Sequence, residues 1–266
     1  MSSSGDLRAR LIGTVYFLPL IAALVYGHPF SAVAGCLAIG WVAFEAVFIL
    51  SGGQVKTADR LLIALIPAVF WLAFLPVTGI GLLLIGAGLW GAGLLFVRGR
   101  EAAFISLLFF ASLSLGALLA ANNGHYVLIC LAAVISAGDV GAYICGRLLG
   151  GPKLAPRISP SKTWSGAVGG LVCSLLVVGL LLVLFDQAGS DAVGWGFAVL
   201  VSLLAQSGDL FESRLKRRLG VKDSGTIVPG HGGALDRFDG YLTVLPVVML
   251  ADAAGFTPFW LKASGL

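Results

Sequence analysis

Charged side chains are scarce in this chain. They make up 11% of its 266 residues, where an ordinary soluble domain carries about 25%. That shortfall excludes a water-soluble core protein, and a mean hydropathy of +0.99 agrees. Cysteine is sparse too: Cys36, Cys130, Cys145 and Cys173 all sit in apolar runs with no C-x-x-C spacing. A disulfide framework and a zinc site are therefore excluded, and the thiols read as small buried hydrophobes. The apolar run Leu11–Tyr26 is not followed by a small-residue cleavage site and a soluble domain, so it reads as a retained first span.

What the chain has in abundance is long apolar runs. They predict nine membrane-spanning helices, at about 10–27, 30–50, 60–77, 80–97, 103–121, 125–149, 164–185, 192–211 and 240–258, each near the ~20 residues that a bilayer requires. With the N-terminus inside, 16 of the 17 basic residues fall on inner segments, Lys262 being the exception. This is the positive-inside pattern. It accounts for the net charge of +4 without a nucleic-acid partner. The expected fold is thus an all-α polytopic integral membrane protein with a polar active-site cavity facing the cytoplasm. Residues 1–124 read as a transmembrane scaffold of about five helices and 125–266 as the catalytic region. The glycine-rich runs at 79–95 and 166–170 lack a strand–turn–helix context for a dinucleotide; close helix packing explains them better.

Only two inner segments, 150–163 and 212–239, are long enough for chemistry on a soluble ligand. The second supplies Asp209 at its edge, then Glu212, Asp223, Asp236 and Asp239. Carboxylates without cysteine, and with one histidine, favour Mg²⁺ or a similar hard cation, with room for a second ion. Asp209 and Asp236 flank the loop between successive helices and are the expected principal ligands in one coordination sphere; Asp223 and Asp239 come next. Asp236 and Asp239 would share a face if LDRFDGYL opens a helix. The turn at Pro229, Gly230, Gly232 and Gly233 brings backbone N–H groups close to an anion, where His231 is a phosphate contact or a loop hydrogen-bonder. Arg214, Lys216, Arg217 and Arg237 add more cations than orientation requires, which suits a phosphate-rich ligand. In the 150–163 segment, Ser161 is expected to cap the next helix, and Lys162 at its N-terminus, preceded by Arg157, makes an anion site.

Acids inside apolar runs are costly and mark a cavity, a partner or a pathway. Asp139 shares a helical face with Ser136, Tyr143 and Arg147 and is expected to line the cavity. Glu45, in WVAFEAVFIL, has no polar company in sequence, so a structural partner and a functional role weigh equally.

The stretch SGDLFESRLKRRLGVKDSGTIVPGHGGALDRFDG resembles the signature of the phosphatidate cytidylyltransferase family. Ser213, Lys216–Arg217, Lys222–Gly225 and Pro229–Asp239 carry it, with AGDVGAYICGRLLG and ISPSKTWSG as two supporting blocks. Gly240 departs from the serine expected there. The resemblance implies transfer of CMP from CTP to phosphatidic acid in a bacterial cytoplasmic membrane, with the active site facing the cytoplasm. Asp209, Asp236, Lys222 and Asp223 are then the expected catalytic residues. Ser161, Lys162, Arg214, Lys216, Arg217, His231, Arg237 and Asp139 are the expected substrate contacts. CTP, phosphatidate and membrane lipid are the expected partners, and a homodimer is left open. A CDP-alcohol phosphatidyltransferase is disfavoured because Asp239-Gly240 is not followed by its usual A-R pair. A transporter would spread its polar groups through the midplane, whereas here they crowd one inner face.

Overall fold

The computed structural model describes residues 18–75, 87–88, 90–91, 93–94, 100–121, 124–184, 192–225, 232–254 and 256. It is predominantly helical and divides into two compact units. One is Met1–Ala121 with Arg218–Phe238; the other is Asn122–Arg217 with Asp239–Leu266. The segment Arg218–Phe238 therefore groups with the N-terminal helices, across the division that the sequence suggests at 124.

The first unit contains α1 (Leu18–Tyr26), α2 (Phe30–Leu50), α3 (Thr57–Leu72) and α4 (Arg100–Ala120). Helix α2 packs on α1, α3 and α4, and α3 also packs on α4. Their shared core is Val42, Ile66, Phe70, Phe104 and Leu108, all buried. The Ser112 hydroxyl donates to the Ile66 carbonyl at 2.6 Å, a polar tie between apolar helices of the kind that replaces the hydrophobic drive in a bilayer.

The second unit contains α5 (Gly124–Leu149), β1 (Lys153–Ala155), β2 (Ser159–Thr163), α6 (Trp164–Leu184) and most of α7 (Ala192–Arg218), with α8 (Leu235–Ala253) from Asp239 onward. Helices α5 and α6 touch backbone to backbone. A Cβ on Gly170 would lie 2.7 Å from the Gly138 carbonyl, and one on Gly141 2.8 Å from the Gly169 carbonyl. The glycines at 166–170 are thus packing residues, as the composition suggested. Helix α8 approaches α7 just as closely. A Cβ on Gly208 would meet the Asp239 carbonyl at 2.7 Å, and the Thr243 hydroxyl donates to the Leu204 carbonyl at 2.8 Å.

Three local expectations are corrected. The 150–163 segment is not a loop: β1 and β2 pair antiparallel, Lys153 opposite Thr163 and Ala155 opposite Ser159. Left-handed Gly150 and Gly151, φ +60° and +102°, turn the chain out of α5, a conformation only glycine adopts cheaply. Pro160 is tolerated because a two-stranded ribbon has only edge strands. Ser161 is not the cap of α6. It lies within β2, and the Thr163 hydroxyl accepts from the Gly166 N–H at 3.1 Å instead, a cap to the third residue of the helix. Lys162 accordingly projects from a strand, not from a helix terminus. Finally, α7 runs unbroken to Arg218, so 212–218 is helical and the connection to α8 is correspondingly shorter.

Five described helices are long and apolar enough to cross a membrane: Phe30–Leu50, Glu101–Ala120, Gly124–Leu149, Trp164–Leu184 and Ala192–Arg218. The expected first span is described only from Leu18, and the fourth, at 80–97, lies largely outside the described residues.

Candidate active site

Two polar clusters stand out, one in each unit. In the second unit, the Lys162 ammonium lies 2.5 Å from Asp209 Oδ2. β2 presents the lysine and the C-terminal half of α7 presents the aspartate. Asp209 Oδ1 also accepts from the Ser213 hydroxyl, one turn on, at 3.3 Å. Asp239, in the first turns of α8, accepts from the Gly240 N–H at 2.7 Å. It lies within electrostatic reach of Asp209, Asp139 and Lys162. Three sequence-predicted acids and one predicted cation are therefore brought together. The ion pair is partly exposed, with side chains 24% and 37% accessible, so it adds little to stability. Its weight is chemical: it places an ammonium and a carboxylate in one cluster with Asp239 and Asp139. The Ser136 and Tyr241 hydroxyls hydrogen-bond beside Asp139, and Arg147 donates to the Tyr143 hydroxyl at 2.7 Å, extending the polar stripe of α5.

In the first unit, Asp236 organises the signature segment. Its Oδ2 accepts from the Gly233 N–H at 2.8 Å and the Ser224 N–H at 3.0 Å. The first contact ties the Asp236 carboxylate to an N–H group just before α8; LDRFDGYL does open that helix. Asp209 and Asp236 belong to different compact units.

The remaining predicted residues divide by exposure. Arg214, Arg217, Lys222, Asp223, Arg237 and Ser161 are exposed. Lys216 is not. It is buried and paired with Glu212 at 2.7 Å, one turn earlier on α7. Gly240 is buried, and a Cβ there would lie 3.3 Å from that of Ala205, so a serine would need α7 to give way slightly. His231, Pro229 and Gly230 lie outside the described residues. Among the described residues, no group of three or more His, Cys, Asp or Glu is drawn tightly enough to hold a metal ion.

Sequence reasoning missed the weight of Glu45. It is 2% exposed and accepts from the Trp41 indole N–H at 2.9 Å, the Ser224 hydroxyl at 3.0 Å and the Leu235 N–H at 2.9 Å. The one local signal was Trp41, a donor four residues earlier on the same helical face.

Comparison with known proteins agrees with the signature. A model of the Cytidylyltransferase family matches residues 8–253. A Brucella abortus biovar 1 (strain 9-941) protein named phosphatidate cytidylyltransferase is 43% identical over 275 residues, covering 97% of each chain. One of the same name from Brucella suis biovar 1 is 44% identical over 265 residues, 93% of this chain and 94% of the relative. Staphylococcus aureus (strain COL) has one 47% identical over 124 residues, 47% of each chain. With the signature residues on α7, on α8 and in the segment between them, and a match that runs nearly end to end, the chain belongs to the cytidylyltransferase family.

Proposed function

We propose that the protein transfers CMP from CTP to phosphatidic acid, giving CDP-diacylglycerol and pyrophosphate. The observation that carries this reading is the cluster of Lys162, Asp209 and Asp239. It is set in a chain that matches relatives named phosphatidate cytidylyltransferase over almost its whole length. An oxygen of the phosphatidate monoester attacks the α-phosphorus of CTP, the new P–O bond forms, and the bond to the β-phosphate oxygen breaks to release pyrophosphate. The nucleophile has a second pKa near 6 and is ionised at neutral pH, so no strong general base is required. The barrier lies in bringing polyanions together and stabilising the leaving group. Lys162, Arg217 and Lys222 oppose that negative charge. Asp209 and Asp239 in one cluster, and Asp223 and Asp236 in the other, are the carboxylates that would hold Mg²⁺, drawing closer around the ion than they stand without it. Held there, the ion would supply charge neutralisation on the transferring phosphoryl group. Asp209 also orients the Lys162 ammonium, and Asp236 holds the amides of Ser224 and Gly233 in register.

An open apolar cavity of about 440 Å³, lined by Leu149, Trp164, Val168 and Val172 among others, lies where β2 passes into α6. It suits an acyl chain whose headgroup is held near Lys162, two residues from Trp164. The orientation follows from the substrates: CTP is cytosolic, so the hairpin and the signature segment face the cytoplasm of a bacterial inner membrane, with nine crossings and an internal N-terminus. The test is a purified-protein assay for pyrophosphate and CDP-diacylglycerol formed from CTP and phosphatidate with Mg²⁺. Release that requires both substrates is expected; none, or release independent of lipid, would refute the assignment.

A further inference from the structure

Glu45 is an acid in the middle of an apolar helix, and nothing in the proposed reaction uses it directly. Its partners explain why it is there. All three of its donors lie in the same compact unit. One is Trp41 on its own helix; the other two, the Ser224 hydroxyl and the Leu235 amide, bracket the signature segment. Ser224 follows Lys222 and Asp223, while Leu235 is the first residue of α8 and precedes Asp236. A helix N-terminus carries free N–H groups and partial positive charge; the Glu45 carboxylate satisfies one of those groups from outside. Gly225 and Gly233 border the carboxylate as well. A Cβ on Gly225 would lie 2.7 Å from Glu45 Oε1, and one on Gly233 would collide with both Glu45 and Ser224. Two glycines of the signature are therefore explained by the approach of this carboxylate.

We propose that Glu45 is a positioning residue: from α2 it clamps the segment at Ser224 and Leu235 and so fixes Lys222, Asp223 and Asp236 for catalysis. This rests on the cytidylyl-transfer reading. Glu45 touches no substrate atom, so its removal should disturb geometry at the reacting centre more than affinity. Displacing a reacting group by ~1 Å costs roughly 100-fold in rate.

The experiment compares the parent protein with Glu45→Gln, Glu45→Ala, Ser224→Ala and the Glu45→Gln/Ser224→Ala double variant. A glutamine keeps one acceptor oxygen and cannot satisfy Trp41 on one side and Leu235 on the other. Turnover should fall by about 10- to 100-fold, with both Michaelis constants within about threefold of the parent, the pattern of lost transition-state geometry. The double variant should lose less than the product of the two single losses, because both act through one hydrogen bond. Hydrogen exchange should quicken within 218–238 and stay unchanged in α5 and α6. Unchanged turnover and exchange, or quickening spread over the whole chain, would overturn the proposal. If the Glu45 variants do not fold, Ser224→Ala alone must show the confined quickening, and its absence counts against the clamp. If the parent releases no pyrophosphate, the functional reading fails, and the exchange pattern alone then decides for or against the clamp.

Discussion

Lys216 is the residue whose place in the structure departs furthest from its place in the signature. Its ammonium and the Glu212 carboxylate sit 2.7 Å apart, with the residues only 8% and 2% exposed. At an effective dielectric constant of about 20, their attraction is roughly 6 kcal/mol. Desolvating each ion costs several kcal/mol, so the pair as a whole contributes little net stability. Removing one partner is different, because it takes away the opposite charge that offsets the other's burial: about 3–5 kcal/mol. Lys216→Met and Glu212→Gln should each lower the unfolding temperature in detergent by on the order of 10 °C, compared at one scan rate. The double variant Glu212→Leu/Lys216→Met removes both charges at similar volume and should recover most of that loss. Differential scanning fluorimetry on the four proteins decides it. Single variants that unfold with the parent, or a double variant no better than the worse single, would refute the argument. Since Glu212 engages the ammonium, the double variant should also retain cytidylyl transfer. Recovered stability with lost turnover would return Lys216 to the phosphate-binding set.

Lys162→Ala should weaken use of both substrates by well over tenfold in kcat/KM, more than a partly exposed ion pair contributes to stability; steady-state kinetics in both substrates checks this. Asp209→Asn should abolish turnover while leaving the protein folded in detergent, and near-normal activity at raised Mg²⁺ would remove Asp209 from the metal set. Chelation should silence the enzyme, and Mg²⁺ should restore it where Zn²⁺ does not, because the donors are carboxylate oxygens. Single cysteines at exposed Pro156 and Arg218, in a variant lacking the four native thiols, should resist membrane-impermeant labelling of intact cells. Labelling of either from outside would overturn the orientation.

Much of this protein was legible in one dimension because a bilayer imposes one-dimensional rules. Span length and backbone satisfaction allow only long apolar helices, so α2, α4, α5, α6 and α7 could be read from their apolar runs. Small residues at helix contacts have no other use in so oily a chain, and the glycines at 166–170 do pack on α5. The signature residues were legible for a similar reason: carboxylates, cations and glycines this dense have no place in a spanning segment. Partnership was not legible, because it depends on which residues the fold brings together across long sequence separations. Lys162 meets Asp209 from 47 positions away, on a strand whose local sequence resembled a helix cap. Lys216 looked like its basic neighbours until burial paired it with Glu212. Glu45 looked friendless in WVAFEAVFIL, yet tertiary structure delivers Ser224 and Leu235 to it from 179 and 190 residues away. Sequence determined which side chains had to leave the lipid, because the cost of burying a lone charge is local. Which partner relieves that cost was decided only by the packed chain, because a hydrogen bond depends on distance in space and not along the sequence.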